Sequence, residues 1–62
     1  MIILTKLGKE NKEIVINAEF IEFIEEIPDT IISLSTGKKI LVQEKKEEII
    51  KKVVNYKRSI LI

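Results

Sequence analysis

Sixty-two residues allow only one small domain with a thin hydrophobic core, because a chain of this length buries about 60% of the surface that it exposes when unfolded. Cysteine and histidine are both absent, which excludes disulfide bonds, thiolate or imidazole metal ligands and Cys or His nucleophiles. The net charge is +1, but residues 17–37 sum to −5 and residues 38–62 to +5. We therefore expect an acidic and a basic surface, which either meet different partners or are two solvated faces.

Neither a membrane span nor a secretion signal is visible in the chain. No apolar run approaches the roughly 18 residues that a transmembrane helix needs. The first ten residues have neither a basic lead nor a long apolar segment before a small-residue cleavage site. We therefore predict a cytoplasmic protein that does not span the membrane. The abundance of isoleucine, lysine and glutamate is typical of an AT-rich genome or of a thermophilic host.

Short apolar runs in the first third of the chain predict strands. Residues 2–7 and 13–16 are separated by a polar connection, which predicts a β-hairpin. The first strand is mostly apolar on both faces, so we expect both faces to be covered. Asn17 then interrupts the pattern, and because its side chain can bond the backbone ahead of it, we predict one helical turn there.

The segment 20–26 has a mixed pattern. Ile21 and Phe23 alternate with Glu22, whereas Ile24 is out of phase with them. This pattern predicts a strand with a bulge near Ile24, and a short helix is the alternative.

A second hairpin follows the turn residues Pro28 and Asp29, with strands over residues 30–34 and 38–43. A three-residue loop with Gly37 in the left-handed conformation would pair Ile32 with Ile40 and Thr30 with Val42, which leaves one face apolar. A two-residue loop would mix lysine into that face. We therefore predict the three-residue loop.

From about residue 45 to residue 58 the apolar period changes to that of an amphipathic helix. One row of apolar residues is spaced by four, three and four, and a second row lies beside it: Ile49, Val53, Tyr56 and Ile60, then Ile50, Val54 and Leu61. We expect the apolar residues between positions 49 and 56 to be buried against the sheet. Residues 59–62 either extend the helix or form an apolar tail, which makes a candidate interface of Ile60, Leu61 and Ile62.

The polar residues do not suggest catalysis. The densest carboxylates, Glu25, Glu26 and Asp29, lie on a predicted strand edge and loop, where an enclosed cleft is not expected in so small a domain. The lysines of the C-terminal third could contact phosphates, but the three aromatic residues fall mostly on predicted core faces and would not stack on bases. We therefore predict no catalytic, cofactor or metal site, and we do not expect nucleic-acid binding.

Motifs distributed over nearly the whole chain resemble the FlbD/SwrD family of small flagellar and swarming-motility proteins. They are Thr5, Leu7 and Gly8; Asn17-Ala18-Glu19; Pro28-Asp29-Thr30; Gly37-Lys38; and Val42, Glu44, Glu47-Glu48 and Ile49 leading to Tyr56-Lys57. The resemblance implies a non-enzymatic cytoplasmic accessory protein of the flagellum, acting by binding a motor, export or assembly component. It carries over no catalytic residue. Its signature positions, which either bind the partner or only build turns, are Asn17, Pro28, Asp29, Thr30, Gly37 and Lys38.

The sequence departs from the family pattern at the start of the helix. Relatives tend to carry a serine N-cap where this chain has Lys45, and an apolar residue where it has Lys46; a lost cap costs about 1 kcal/mol. A second resemblance, of residues 1–6 and 42–49 to the CsrA family of RNA-binding translational regulators, suggests an alternative function. The acidic middle of the chain and its longer helix argue against that alternative.

Together these patterns predict a single α+β domain over residues 1–62. We expect a small, twisted, mostly antiparallel sheet of about five strands, curled towards a barrel, with the C-terminal amphipathic helix covering an open face or end. Exposed sheet edges and a thin core favour a homo-oligomer.

Overall fold

A computed structural model describes residues 1–8, 10 and 12–60 of the chain. Within these residues there are five strands, a short 3₁₀ helix at Ala18–Phe20 and one α-helix. In chain order the others are β1 (Ile2–Thr5), β2 (Glu13–Ile16), β3 (Ile21–Glu26), β4 (Thr30–Leu34), β5 (Lys39–Val42) and α1 (Lys46–Ile60). The predicted α+β class and the antiparallel pairing are confirmed.

The strands form two antiparallel sheets that meet at one point, which we call the sheet joint. One sheet pairs β1 with β2, and the other has the order β3-β4-β5. At the joint the backbone N–H of Gln43 donates to the carbonyl of Thr5 (2.8 Å), and the N–H of Leu7 donates to that of Leu41 (3.0 Å). Backbone pairing therefore continues from β1 to β5, but β2 and β3 do not pair within the described residues. The structure curls as predicted without closing into a barrel.

The β4–β5 hairpin has the predicted register. Ile32 lies opposite Ile40. The loop is closed by a 2.9 Å hydrogen bond from the N–H of Gly37 to the carbonyl of Leu34, and by a 2.8 Å bond from the N–H of Leu34 to the carbonyl of Lys38. Gly37 has φ 95°, a conformation that L side chains rarely adopt. The predicted three-residue loop with a left-handed glycine is confirmed.

The segment after the 3₁₀ helix is a strand rather than a short helix, but its bulge is not where we predicted it. Pairing with β4 shifts between Ile21 and Phe23, so the extra residue is Glu22 and not Ile24. Because the shift reverses the alternation, Ile24 lies opposite the buried Ile32 and packs against the core. Phe23 consequently faces outward and is 58% exposed.

Both sheets and the helix contribute to the core. Its buried apolar residues are Ile2, Leu4, Ile16, Ala18, Ile32, Val42 and Ile49. The outer face of the β1–β2 hairpin is different: Ile3 lies opposite Val15, and both side chains are exposed. Our prediction that both faces of β1 are covered is therefore wrong, because the helix packs against only one face.

Three strands are shorter than predicted. β3 lacks only its first predicted residue, Phe20, which ends the 3₁₀ helix. β1 ends at Thr5 rather than at residue 7, because Lys6 makes an isolated bridge with Val42 and Leu7 already belongs to the sheet joint. β5 spans Lys39–Val42 rather than 38–43, and its flanking residues bond the hairpin loop and the joint instead.

The helix α1 begins one residue later and ends two residues later than predicted. It includes Ser59, whose hydroxyl donates to the carbonyl of Tyr56 (2.7 Å), and Ile60. The last two residues of the chain, Leu61 and Ile62, lie outside the described residues.

A carboxylate from β3 replaces the missing serine cap of α1. Oε1 of Glu26 accepts a 2.7 Å hydrogen bond from the backbone N–H of Lys46. The first N–H groups of a helix have no partner within it, and negative charge near them is favourable. The helix start is therefore held by a residue twenty positions away.

Only one of the two predicted apolar rows of α1 is covered, and the last residue of that row, Ile60, is exposed. Ile49 is fully buried, and Val53 and Tyr56 pack against the core. Ile50 and Val54 are 52% and 42% exposed. The expectation that all apolar residues between positions 49 and 56 are buried is wrong, because only the row that contains Ile49 packs against the curled sheet.

We expect Ile32→Asp to abolish cooperative folding, because Ile32 is fully buried and a charge there would have no partner. Truncation of a buried isoleucine alone typically costs about 2–5 kcal/mol. Lys38→Glu, in the exposed hairpin loop, is the control and should melt like the unmodified chain. Thermal and urea melts followed by circular dichroism measure both variants. A folded Ile32→Asp protein would show that the core is assigned to the wrong face.

Candidate functional site

A carboxylate reinforces the sheet joint. Thr5 donates its backbone N–H to both oxygens of Glu44 (3.0 Å each), and its hydroxyl donates to Oε2 (2.9 Å). The two residues are 39 positions apart in the chain. Glu44 thus ties the first strand to the segment that leads into α1.

The same contacts stabilise the charged form of Glu44. Its partial burial opposes ionisation, but hydrogen bonds from the N–H groups of Thr5 and Glu44, the Thr5 hydroxyl and the positive charge of Lys52 outweigh that effect. The pKa of Glu44 therefore lies below its ordinary value.

An open depression of about 140 Å³ lies beside the joint. Its lining includes three of the signature positions and residues of the joint: Pro28, Asp29, Thr30, Leu7, Val42 and Gln43. Thr30 is buried opposite Val42 and so has a structural role, whereas Pro28 and Asp29 are exposed. The segment before them also reaches solvent, with Ile27 84% exposed. We call Ile27, Pro28 and Asp29 the exposed turn.

The other three signature positions lie at the opposite end of the β4–β5 hairpin. Asn17 caps the 3₁₀ helix, its Oδ1 accepting from the N–H of Glu19 (3.0 Å), and Gly37 supplies the left-handed loop residue. Asn17 and Lys38 border one apolar depression together with Phe20. The structure therefore brings the six positions together as two groups of three, and it does not unite them in one site.

The third candidate surface, at the end of the chain, is described only in part. Ile60 closes α1 and is exposed. Leu61 and Ile62 lie outside the described residues, so the predicted apolar interface there stays a prediction.

The aromatic residues differ from our expectation. Phe20 and Phe23 are exposed, and only Tyr56 packs against the core, so the argument from aromatic burial against base stacking is wrong for two of three residues. The bulge at Glu22 explains the exposure of Phe23, because it turns that side chain away from the core. That residue has acidic neighbours at positions 22 and 25, whose charge opposes the approach of phosphates.

Three features of these surfaces were not recognised from the sequence. They are the exposure of Ile27, the capping of α1 by Glu26 and the bond between Glu44 and Thr5. The absence of a serine at position 45 was a signal that another group caps the helix. Nothing in the local sequence pointed to Thr5 as a partner of Glu44.

The part of the chain that the structure describes holds neither a cluster of metal ligands nor a membrane-spanning helix. There, no three Asp, Glu, His or Cys side chains are grouped so that they could hold a metal ion. No helix in the same residues is long and apolar enough to cross a membrane.

We expect Glu44→Gln to lower the free energy of unfolding at pH 7 by about 1–2 kcal/mol, because hydrogen bonds to a charged acceptor contribute more than those to a neutral one. Glu48→Gln in the exposed first turn of α1 is the matched control, and only a few tenths of a kcal/mol should be lost there. Urea titrations of the three proteins measure the difference. Equal losses in both variants would mean that the joint does not depend on this carboxylate.

The contribution of Glu44 should also depend on pH. Since its pKa is lower in the folded than in the unfolded chain, the stabilisation is complete above the unfolded value of about 4.5 and is lost as the pH falls through the folded value. The difference in stability between the unmodified chain and Glu44→Gln should therefore be constant from pH 7 to about pH 5 and shrink below about pH 4. A difference that grows in acid would contradict the assignment.

Comparison with known proteins identifies the family. The family model described as "FlbD: Flagellar and Swarming motility proteins" matches residues 1–61 of the 62-residue chain. No curated protein and no solved structure gave a significant match. The match covers both signature groups, the sheet joint and the whole of α1, which agrees with the resemblance carried by the motifs. The chain therefore belongs to the FlbD family of flagellar and swarming motility proteins.

Proposed function

We propose that this protein is a non-enzymatic cytoplasmic accessory protein of flagellar swarming motility, which binds a motor, export or assembly component at the cytoplasmic face of the flagellum. The observation that carries the proposal is the match of the flagellar family model to residues 1–61. Membership supports a role in motility. The binding mechanism and the location are the parts that we add.

The roles of the polar groups support adhesion rather than chemistry. The carboxylates of Glu44 and Glu26 accept hydrogen bonds from the backbone, the first at the sheet joint and the second at the start of α1. Asn17 likewise caps the 3₁₀ helix. These side chains therefore serve the fold, and the surfaces that they hold in place are available for a partner.

The exposed turn is the docking surface that we propose. Ile27 is the most exposed of the large apolar residues in the described chain, and it lies next to Pro28 and Asp29. Leu7, also exposed, lines the adjoining depression. A protruding apolar side chain beside a concave surface with a polar rim is a common form of protein-binding site. The turn is also anchored, since Thr30 immediately after it is buried.

Charge would orient the partner on this surface. The acidic positions between residues 19 and 29 lie on or near β3, and the basic positions of the C-terminal third lie on α1 and its flanks. Such separation steers association more than it strengthens the final complex.

We expect Ile27→Asp to abolish swarming while leaving the protein folded, because the side chain is already in solvent and only the partner would be lost. The test is complementation of a strain lacking this protein, scored by swarm expansion, with protein level and melting temperature measured in parallel. Val15→Asp removes an exposed apolar residue from a different face and is the control. Swarming that survives Ile27→Asp but fails with Val15→Asp would move the docking surface to the β1–β2 hairpin.

Capture from cells of the host tests the partner class. The tagged protein should enrich a flagellar motor, export or assembly component at moderate salt, and the tagged Ile27→Asp variant should not. Both recovered protein and recovered RNA should be identified. Enrichment of particular transcripts that is lost as salt rises would contradict the proposal and support the translational-regulator alternative.

A further inference from the structure

The exposed side of α1 carries a stripe of four residues: an acidic one, two apolar ones and a basic one. Glu47, Ile50, Val54 and Lys57 are spaced by three, four and three positions, so they lie on one face of the helix. The two apolar residues are in the middle and are 52% and 42% exposed. An acidic residue stands at one end and a basic residue at the other. We call this face the α1 stripe.

A groove adjoins the α1 stripe. It has a volume of about 250 Å³ and lies between α1 and β3, with Ala18, Ile21 and Ile24 on one wall and Ile50 and Val54 on the other. Apolar lining predominates, and Lys57 stands at its rim. The uncovered apolar surface is thus concave rather than a single protruding side chain.

We propose that a second copy of this chain covers the α1 stripe, with the two helices packed antiparallel about a two-fold axis. The axis would pass near the midpoint between Ile50 and Val54. Ile50 would then lie against Val54 of the partner subunit, and Glu47 against Lys57 of the partner subunit. Each contact occurs twice, as a two-fold interface requires.

The order of charges selects this arrangement. An antiparallel pair places the acidic end of each stripe beside the basic end of the other, whereas a parallel pair would place Glu47 beside Glu47 and Lys57 beside Lys57. Like charges across an interface are unfavourable. Glu19 bonds Lys57 within the chain at 3.3 Å, but both side chains are about half exposed, so the ammonium group can take a second carboxylate from the partner.

A second copy fits the stripe because the stripe is complementary to itself. Its two apolar residues are similar in size, and its charges are of opposite sign at equal distances from the centre. The distance from position 47 to position 57 along the helix is roughly 15 Å, enough for an interface of about three turns. A domain with a thin core also gains from covering further apolar surface. This inference does not rest on the proposed flagellar function.

Charge reversal gives the sharpest test. In Glu47→Lys alone, or in Lys57→Glu alone, every end of the two-fold pair becomes a like-charge contact, and we expect the dimer dissociation constant to rise about ten-fold or more. An equimolar mixture of the two variants forms only opposite-charge contacts and should recover the dimer. Sedimentation velocity at about 100 µM protein and low salt, repeated at high salt, measures the unmodified chain, each variant and the mixture.

A matched pair of apolar variants tests the centre of the stripe. Val54→Asp should make the protein monomeric, whereas Val15→Asp, at a position that is 61% exposed on the β1–β2 hairpin, should leave the dimer unchanged. Circular dichroism checks that each variant is folded. If Val54→Asp does not fold, the mixture of charge variants still decides the question, because those side chains are on the surface.

Three results would overturn the inference. The first is an unmodified chain that stays monomeric at about 1 mM protein. The second is a dimer that Val54→Asp leaves intact or that Val15→Asp disrupts, which would place the interface elsewhere. The third is a mixture of Glu47→Lys and Lys57→Glu that does not recover a dimer lost in each variant alone, which would exclude the antiparallel arrangement.

Discussion

The sheet joint, reinforced by the bond between Glu44 and Thr5, is the contact that connects the two sheets. The carboxylate accepts both donors of Thr5, and the neighbouring backbone bond from Gln43 to Thr5 continues the pairing from β1 to β5. Because Glu44 lies two residues before α1, the joint also anchors the segment that leads into the helix. Glu26 then caps that beginning, and Ile49 enters the core between the sheets. Two carboxylates thus connect parts of this small domain that are far apart in the sequence.

The same small size explains why so much apolar surface is left outside. A single helix can cover one face of the curled sheet, and α1 does so with the row formed by Ile49, Val53 and Tyr56. Ile3, Val15, Ile27, Ile50 and Val54 remain exposed. This exposed apolar surface lies in separate places: the exposed turn, the α1 stripe and the outer face of the β1–β2 hairpin. The two interfaces that we propose, the exposed turn and the α1 stripe, share no residue.

Local patterns predicted the elements well where one physical rule dominated. Gly37 and the parity of Ile32 and Ile40 were sufficient for the hairpin register, since only one loop length leaves an apolar face. Asn17 predicted the 3₁₀ turn for the same kind of local reason. The prediction failed at Glu22, because a bulge can be placed at several positions without changing the local pattern. That shift places Phe23 on the solvent-facing side of β3. The expectation that this aromatic residue lies on a core face is therefore wrong.

The amino-acid sequence by itself determined the fold class, the five strands, the helix and the flagellar family, because these follow from alternation, helical period and motif order along the chain. It also determined the absence of cysteine and histidine chemistry. Tertiary structure alone decided that Glu44 meets Thr5, that Glu26 replaces a serine cap and that the signature positions separate into two groups. The physical reason is range: propensity and period act over a few residues, whereas these contacts join positions twenty and 39 apart, whose encounter depends on how the whole sheet curls.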